Sequence, residues 1–131
     1  TGRCHILSLA SVSSFMPGGP GMAAYFASKA FVLPFSTALS AELRGTGVKV
    51  TALCPGPTKT DFDYSGDLSK TLLFTHNLST AKKVAAQGYR AMKRGQRTFV
   101  PGLVNKILAV AGVLPPRGIP LAITGFLLKP R

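Results

Sequence analysis

The chain has 131 residues, 46% of them hydrophobic and 15% charged, a balance that suits one modest folded domain and excludes a disordered tail. Its formal charge of +12 is unevenly placed, since all four acids (Glu42, Asp61, Asp63, Asp67) precede Leu68 and eleven of the sixteen Lys and Arg follow it. The basic residues come singly or in pairs with no RNA-binding aromatic motif or zinc-finger spacing, which argues against nucleic acid as the partner and leaves anionic lipid, an acidic ligand such as a phosphorylated cofactor, or nothing beyond solubility.

In chain order, "CHILSLAS" (Cys4 to Ser11) is a short apolar run closed by serines, the pattern of a parallel strand buried on both faces. A loop, "SVSSFMPGGPG", follows. From Met22 to Leu43, Ala24, Ala27, Phe31, Phe35, Leu39 and Leu43 recur at helical spacing and predict one long helix, with Pro34 a local irregularity. "RGTGV" supplies a helix stop, and "VKVTALCPG" is a second strand ending at Pro55-Gly56. The order strand, helix, strand is a βαβ unit and predicts an α/β fold with a parallel sheet.

Residues 57 to 78 mix turn formers with isolated aromatics and predict a long loop carrying a short helix, of the kind that serves as a lid. Phe62, Tyr64, Leu72, Leu73 and Phe74 within it are candidates to line an apolar substrate pocket, whereas Asp61 and Asp63 suit a cap or solvated loop. Ser79 or Thr80 is expected to cap a helix through "AKKVAAQGYRAMKRG" ending at Gly95, and "RTFVPG" predicts a short strand. The remainder, 103–131, is apolar, basic and broken at Pro115-Pro116. Its longest charge-free runs, Ile107 to Pro116 and Gly118 to Leu128, are ten and eleven residues, against the roughly 20 that a spanning helix needs. It is expected to pack as helices on the domain, to cover an acyl-like substrate, or to lie peripherally on a membrane interface, packing being the default.

Cys4 and Cys54 belong to no pattern with metal spacing, so no metal site is expected, and both thiols are expected to be reduced and buried in a cytoplasmic protein. His5 and His76 have no partners at ligand spacing. The opening "TGRCHILSLAS" lacks the features of a signal peptide, and the chain reads as a piece of a longer protein.

Ligands of open α/β sheets bind beyond the carboxyl ends of the strands. The first strand delivers Ser11 there, with Ser13 and Ser14 close behind, and the second delivers Pro55-Gly56-Pro57-Thr58-Lys59-Thr60. Between them, Tyr25 and Lys29 form an i,i+4 pair on one helical face. A free phenol titrates near ~10 and is a poor base at neutral pH, but a neighbouring ammonium favours the phenolate. A serine hydroxyl at the adjoining strand end suits polarisation of a carbonyl oxygen. No side chain supplies a hydride, so such a site needs a nicotinamide cofactor.

These residues resemble the C-terminal half of a classical short-chain dehydrogenase/reductase, whose Ser...Tyr-x-x-x-Lys signature stands here as Ser11...Tyr25-Phe26-Ala27-Ser28-Lys29 and whose post-strand motif stands as Pro55-Gly56. The similarity runs over about Thr1 to Gly102 and rests on the conjunction of these motifs with "SKAFVLPFSTALSAEL" and "GVKVTALCPGPTKT", since Tyr-x-x-x-Lys alone recurs by chance. The resemblance implies half of a doubly wound, Rossmann-like three-layer domain over 1–102 followed by the extension 103–131. It implies that Tyr25 is the general acid/base, that Lys29 supports its ionised form and holds the nicotinamide ribose, and that Ser11 orients the carbonyl. Pro55, Gly56, Thr58 and Thr60 would join Tyr25 and Lys29 around the cofactor, NAD or NADP with NADP preferred. The implied activity interconverts a small-molecule carbonyl and a secondary alcohol on an apolar substrate, in a homo-oligomer.

The spacing departs from the family's pattern: Ser11 to Tyr25 is fourteen residues, where thirteen is usual. An extra residue in the "PGGPG" loop accounts for it. The family's glycine-rich cofactor fingerprint and active-site asparagine would lie before Thr1, so the chain by itself is expected to be inactive. The rival expectation is a non-catalytic scaffold, or a module that binds anionic membranes through its basic tail.

Overall fold

The computed structural model describes residues 3–60 and 78–129. The apolar, β-branched segment "VKVTAL" forms β2 (Val48–Leu53), the central strand of a parallel sheet in the order β1-β2-β5. β1 (Cys4–Leu9) pairs with it from Cys4↔Val48 to Leu9↔Leu53, and β5 (Thr98–Phe99) pairs through Ala52↔Thr98 and Leu53↔Phe99. With neighbours on both sides, β2 is buried from Val50 through Cys54. Even its polar residue is satisfied, since the Thr51 hydroxyl donates to the Gln96 carbonyl at 2.6 Å.

A single turn of 3₁₀ helix (Val12–Phe15) follows β1, and the chain then enters α1 (Ala23–Glu42), which returns it to β2. This is the expected βαβ unit. α1 lies against β2 and the 3₁₀ turn. It buries Phe26 and Ser36, and the core gathers Ala10, Ala52 and Cys54 beneath Phe15, Val32, Leu33 and Val100. Pro34 sits inside α1 without ending it; nearby, Ser36 and Thr37 hydroxyls donate to the Val32 and Pro34 carbonyls.

Beyond β2 lies a small parallel pair that the sequence reading did not anticipate, β3 (Thr58–Lys59) with β4 (Ser79–Thr80). α2 (Ala81–Lys93) begins directly after it. Of the two candidate caps, Thr80 takes the role, its hydroxyl accepting the Lys83 amide at 3.2 Å. The chain leaves this helix through Gly95, whose φ of 69° suits glycine at such a stop. The tail then forms α3 (Leu103–Val113), packed on the 3₁₀ turn, and α4 (Gly118–Leu127), with the break at Pro115-Pro116 where proline chemistry predicts it.

Two expectations are corrected. β1 is not buried on both faces: Leu9 is 59% exposed, and Ile6 and Leu7 are exposed too, because β1 is the edge of the described sheet and is hydrogen-bonded on one side only. For the same reason only Cys54 is a buried thiol, while Cys4 is exposed. Of the predicted lid, residues 61–77, with Asp61, Phe62, Asp63, Tyr64, Leu72, Leu73, Phe74 and His76, lie outside the described residues.

Candidate active site

β1 and β2 run parallel, so their carboxyl ends point the same way and release the chain at one edge of the sheet. There the backbone is stitched across the two loops: the Ala10 amide donates to the Leu53 carbonyl at 2.8 Å and the Val12 amide to the Pro55 carbonyl at 2.9 Å. These bonds fix Ser11, which lies between them, beside Pro55-Gly56.

Ser11 is extended and caps the 3₁₀ turn, accepting the Ser13 amide on its hydroxyl oxygen at 3.2 Å. Ser14 completes a capping box by accepting the Ser11 amide at 3.3 Å. The Ser14 hydroxyl also donates to the Lys29 carbonyl at 2.7 Å. One side chain therefore ties the backbone of Ser11 to the helix turn that carries Lys29. The sequence reading placed Ser14 near the site but did not see this tie; the signal for it was the S-x-x-S spacing of a capping box at a strand end.

Tyr25 and Lys29, one turn apart on α1, both face this edge. The Tyr25 hydroxyl donates to Ser11 Oγ at 3.4 Å, long for an O–H···O bond, so the two oxygens stand close enough for one oxygen lying beside both to meet each of them. Lys29 Nζ donates to the Leu9 carbonyl at 3.1 Å and lies 5.9 Å from the centre of the Tyr25 ring. That carbonyl anchors the lysine at the strand end. The positive charge is held near the phenol by the same βαβ geometry that brings Ser11 to it.

A cleft of about 650 Å³ opens here, lined by Ser11, Tyr25, Lys29, Pro55, Gly56, Thr58 and Thr60, that is, by every site residue expected from the sequence. The volume suits a sizeable ligand. Leu7, Leu9 and Leu53 with Ala81, Val84 and Ala85 of α2 give it apolar walls that the sequence reading did not include. Thr58 lines it, its hydroxyl donating to the Gly56 carbonyl at 2.9 Å.

A second, smaller cavity of about 60 Å³ lies on the other side of Ser11 and Tyr25, walled by Met16, Met22, Phe26, Leu108 and Leu128. Leu108 comes from α3 and Leu128 from just beyond α4. Asn105 of α3 was also missed: its amide donates to the Pro101 carbonyl at 2.8 Å and its side chain fills the space where a Cβ on Gly56 would stand. A lone asparagine in a helix otherwise apolar but for Lys106 was the signal available. Cys54, at the base of this edge, has its thiol pushed up to about 11 by burial, so it stands protonated at neutral pH. Among the described residues no cluster of His, Cys, Asp or Glu could hold a metal ion.

A strand-ended serine, a Tyr-x-x-x-Lys turn and a Pro-Gly turn gather around one cleft of a parallel α/β sheet. Residues 1–69 match the family model of the short chain dehydrogenases, and the chain belongs to that family. It is 40% identical over 76 residues to an uncharacterized oxidoreductase of Myxococcus xanthus, covering 57% of this chain and 30% of that protein. It is 50% identical over 56 residues to 1-deoxy-11-beta-hydroxypentalenate dehydrogenase of Streptomyces exfoliatus, covering 43% of this chain and 20% of that one. A short-chain dehydrogenase from Sphingobium yanoikuyae, solved in complex with NADPH, superposes with a TM-score of 0.64 at 27% identity, over 82% of this chain and 41% of that one. The chain thus spans less than half the length of these relatives.

Proposed function

We propose that this chain is the catalytic-residue half of an NAD(P)-dependent oxidoreductase that interconverts a carbonyl and a secondary alcohol. The observation that carries this reading is the convergence of Ser11, Tyr25 and Lys29 on one cleft at the carboxyl ends of β1 and β2. The residues there fit the nicotinamide end of a dinucleotide. Leu7, Leu9 and Val84 offer an apolar wall for the ring, Lys29 and Tyr25 offer partners for ribose hydroxyls, and the Pro55-Gly56 turn with Thr58 and Thr60 offers backbone and hydroxyl groups to the carboxamide and phosphate side. NADP is the form favoured by the chain's positive charge, and the Sphingobium relative was solved with NADPH.

Bound there, the cofactor supplies the hydride that no side chain can. Ser11 Oγ already accepts from the Ser13 amide and from Tyr25, which leaves its own proton to donate to a substrate oxygen. Tyr25 Oη gives its proton to that oxygen during reduction and takes it back during oxidation. The Lys29 ammonium stabilises the negative charge that appears on the phenol oxygen. The apolar walls of the smaller cavity, Met16, Met22, Phe26, Leu108 and Leu128, favour an apolar substrate.

The glycine-rich segment present, Gly18-Gly19-Pro20-Gly21, leads into the helix that carries Tyr25, and the chain spans less than half the length of its relatives. Turnover therefore belongs to a longer protein in which 1–102 completes the cofactor domain and 103–131 extends it. An oligomer fits the outward face of α1, where Phe31 and Phe35 stack at 5.5 Å while 66% and 53% exposed.

The test is Tyr25→Phe in the full-length protein, assayed for carbonyl reduction and for cofactor binding by fluorescence titration. A fall in kcat of about 10²- to 10⁴-fold with cofactor affinity little changed is expected. Retained turnover refutes the role given to Tyr25.

A further inference from the structure

α3 and α4 carry more apolar surface than the domain beneath them uses. α3 buries Ala109 and Gly112 against the 3₁₀ turn, and α4 buries Pro120 and Thr124, with Leu128 just beyond it. Yet their outward positions are apolar as well: Leu103 is 74% exposed, Val104 70%, Ile107 60%, Val110 60%, Ile119 58% and Phe126 65%. Large apolar side chains exposed on both helices to this extent mark a contact surface. At 11 and 10 residues they are too short to cross a bilayer, which needs roughly 20, and no helix among the described residues is long and apolar enough to do so.

Charge selects the occupant. Lys106, Arg117 and Lys129 are exposed and stand among these apolar residues, and no acidic residue follows Asp67 in the sequence. Lys106 shares a helical face with Leu103 and Val110, Arg117 stands at the junction of the two helices, and Lys129 follows Phe126 by one turn. Long basic side chains in such positions lay their stems on apolar surface and lift their charges to the level of lipid phosphates. A second copy meeting this face through its own α3 and α4 would bring the same cations and no carboxylate to answer them.

We propose that the outer face of α3 and α4 docks on the surface of a bilayer containing anionic phospholipid, with Val104, Ile107, Val110 and Phe126 in the acyl boundary and Lys106, Arg117 and Lys129 on the headgroups. The docking is independent of the oxidoreductase reading, and none of these residues lines the cleft at Tyr25.

The experiment is flotation of the full-length protein with vesicles of phosphatidylcholine, with and without an equal part of phosphatidylglycerol. Three basic residues acting near the headgroups predict binding tighter by on the order of 100-fold on the anionic vesicles. The triple variant Lys106→Gln/Arg117→Gln/Lys129→Gln is expected to lose that preference. The double variant Ile107→Gln/Phe126→Gln is expected to weaken binding by about tenfold or more, the equivalent of removing two apolar side chains from the boundary. Circular dichroism checks that both variants keep the parent's helical content, and the charge variant leaves the apolar face intact should the other misfold. Equal partition onto both vesicle types, or binding unchanged in both variants, overturns the proposal. So does a vesicle-inert protein that is oligomeric in solution and becomes monomeric in the double variant, which would assign the face to a second copy.

Discussion

The strand-end edge and the C-terminal helix pair sit side by side, share the small cavity at Tyr25, and are built on opposite principles. At the edge the polar groups of Ser11, Ser14, Lys29, Thr51 and Thr58 are hydrogen-bonded to one another or to backbone, and the geometry they hold is narrow. Across α3 and α4 nearly everything outward is apolar and makes no directional bond. A site that moves a proton needs the first arrangement, because proton transfer depends on tenths of an ångström. A surface that only has to adhere is served by the second, because apolar burial has no preferred direction.

The strongest way to break that division is at a place where the halves interlock, Gly56 against Asn105. Gly56→Ala drives a methyl into the Asn105 side chain and is expected to destabilise the fold by about 1–3 kcal/mol in urea unfolding. Asn105→Ala in the same chain should recover most of the loss, since it vacates the contested space. A double-mutant cycle with no coupling would show that the turn and α3 do not meet as described.

A smaller effect is expected at Ser14. Ser14→Ala removes both the bond to the Ser11 amide and the bond to the Lys29 carbonyl. About 1 kcal/mol of stability should go with it. In the full-length protein kcat should fall about tenfold while KM changes little, because Ser14 acts by holding Ser11 in register with α1 and does not touch substrate. A loss confined to stability would reduce Ser14 to a cap.

The smallest expected effect separates the two cysteines. Iodoacetamide at neutral pH should modify Cys4 and spare Cys54 in the folded chain, as mass spectrometry would read. The raised Cys54 thiol also carries a sign for stability. Between its ordinary value of 9.0 and about 11 the folded state keeps a proton that the unfolded state gives up, so this contribution is present below pH 9 and is lost as pH rises through that window. Urea midpoints that do not decline across it, relative to a Cys54→Ala variant, would contradict burial as the cause.

The local chemistry of this protein was legible in the sequence because it follows local rules. Apolar runs closed by serine or Pro-Gly marked β1 and β2, period-3.6 patterning marked α1, and Thr80 and Gly95 marked the ends of α2. The Tyr25–Lys29 pair was fixed by helix geometry alone. What the sequence could not show depends on which surfaces meet. The stripe of Ala24, Ala27, Phe31 and Phe35 that announces α1 points outward, while Phe26 and Ser36 face the core, because α1 is apolar on both sides and patterning cannot choose between them. The burial of β1 likewise depends on its place at the sheet edge, and the two-residue strands β3 and β4 are too short to leave a periodicity. Only tertiary structure decided that Ser14 joins Ser11 to Lys29, that Asn105 closes over Gly56, and that α3 and α4 keep an apolar face outward. Each is a contact between residues distant in sequence, set by how parallel strands and their returning helix pack.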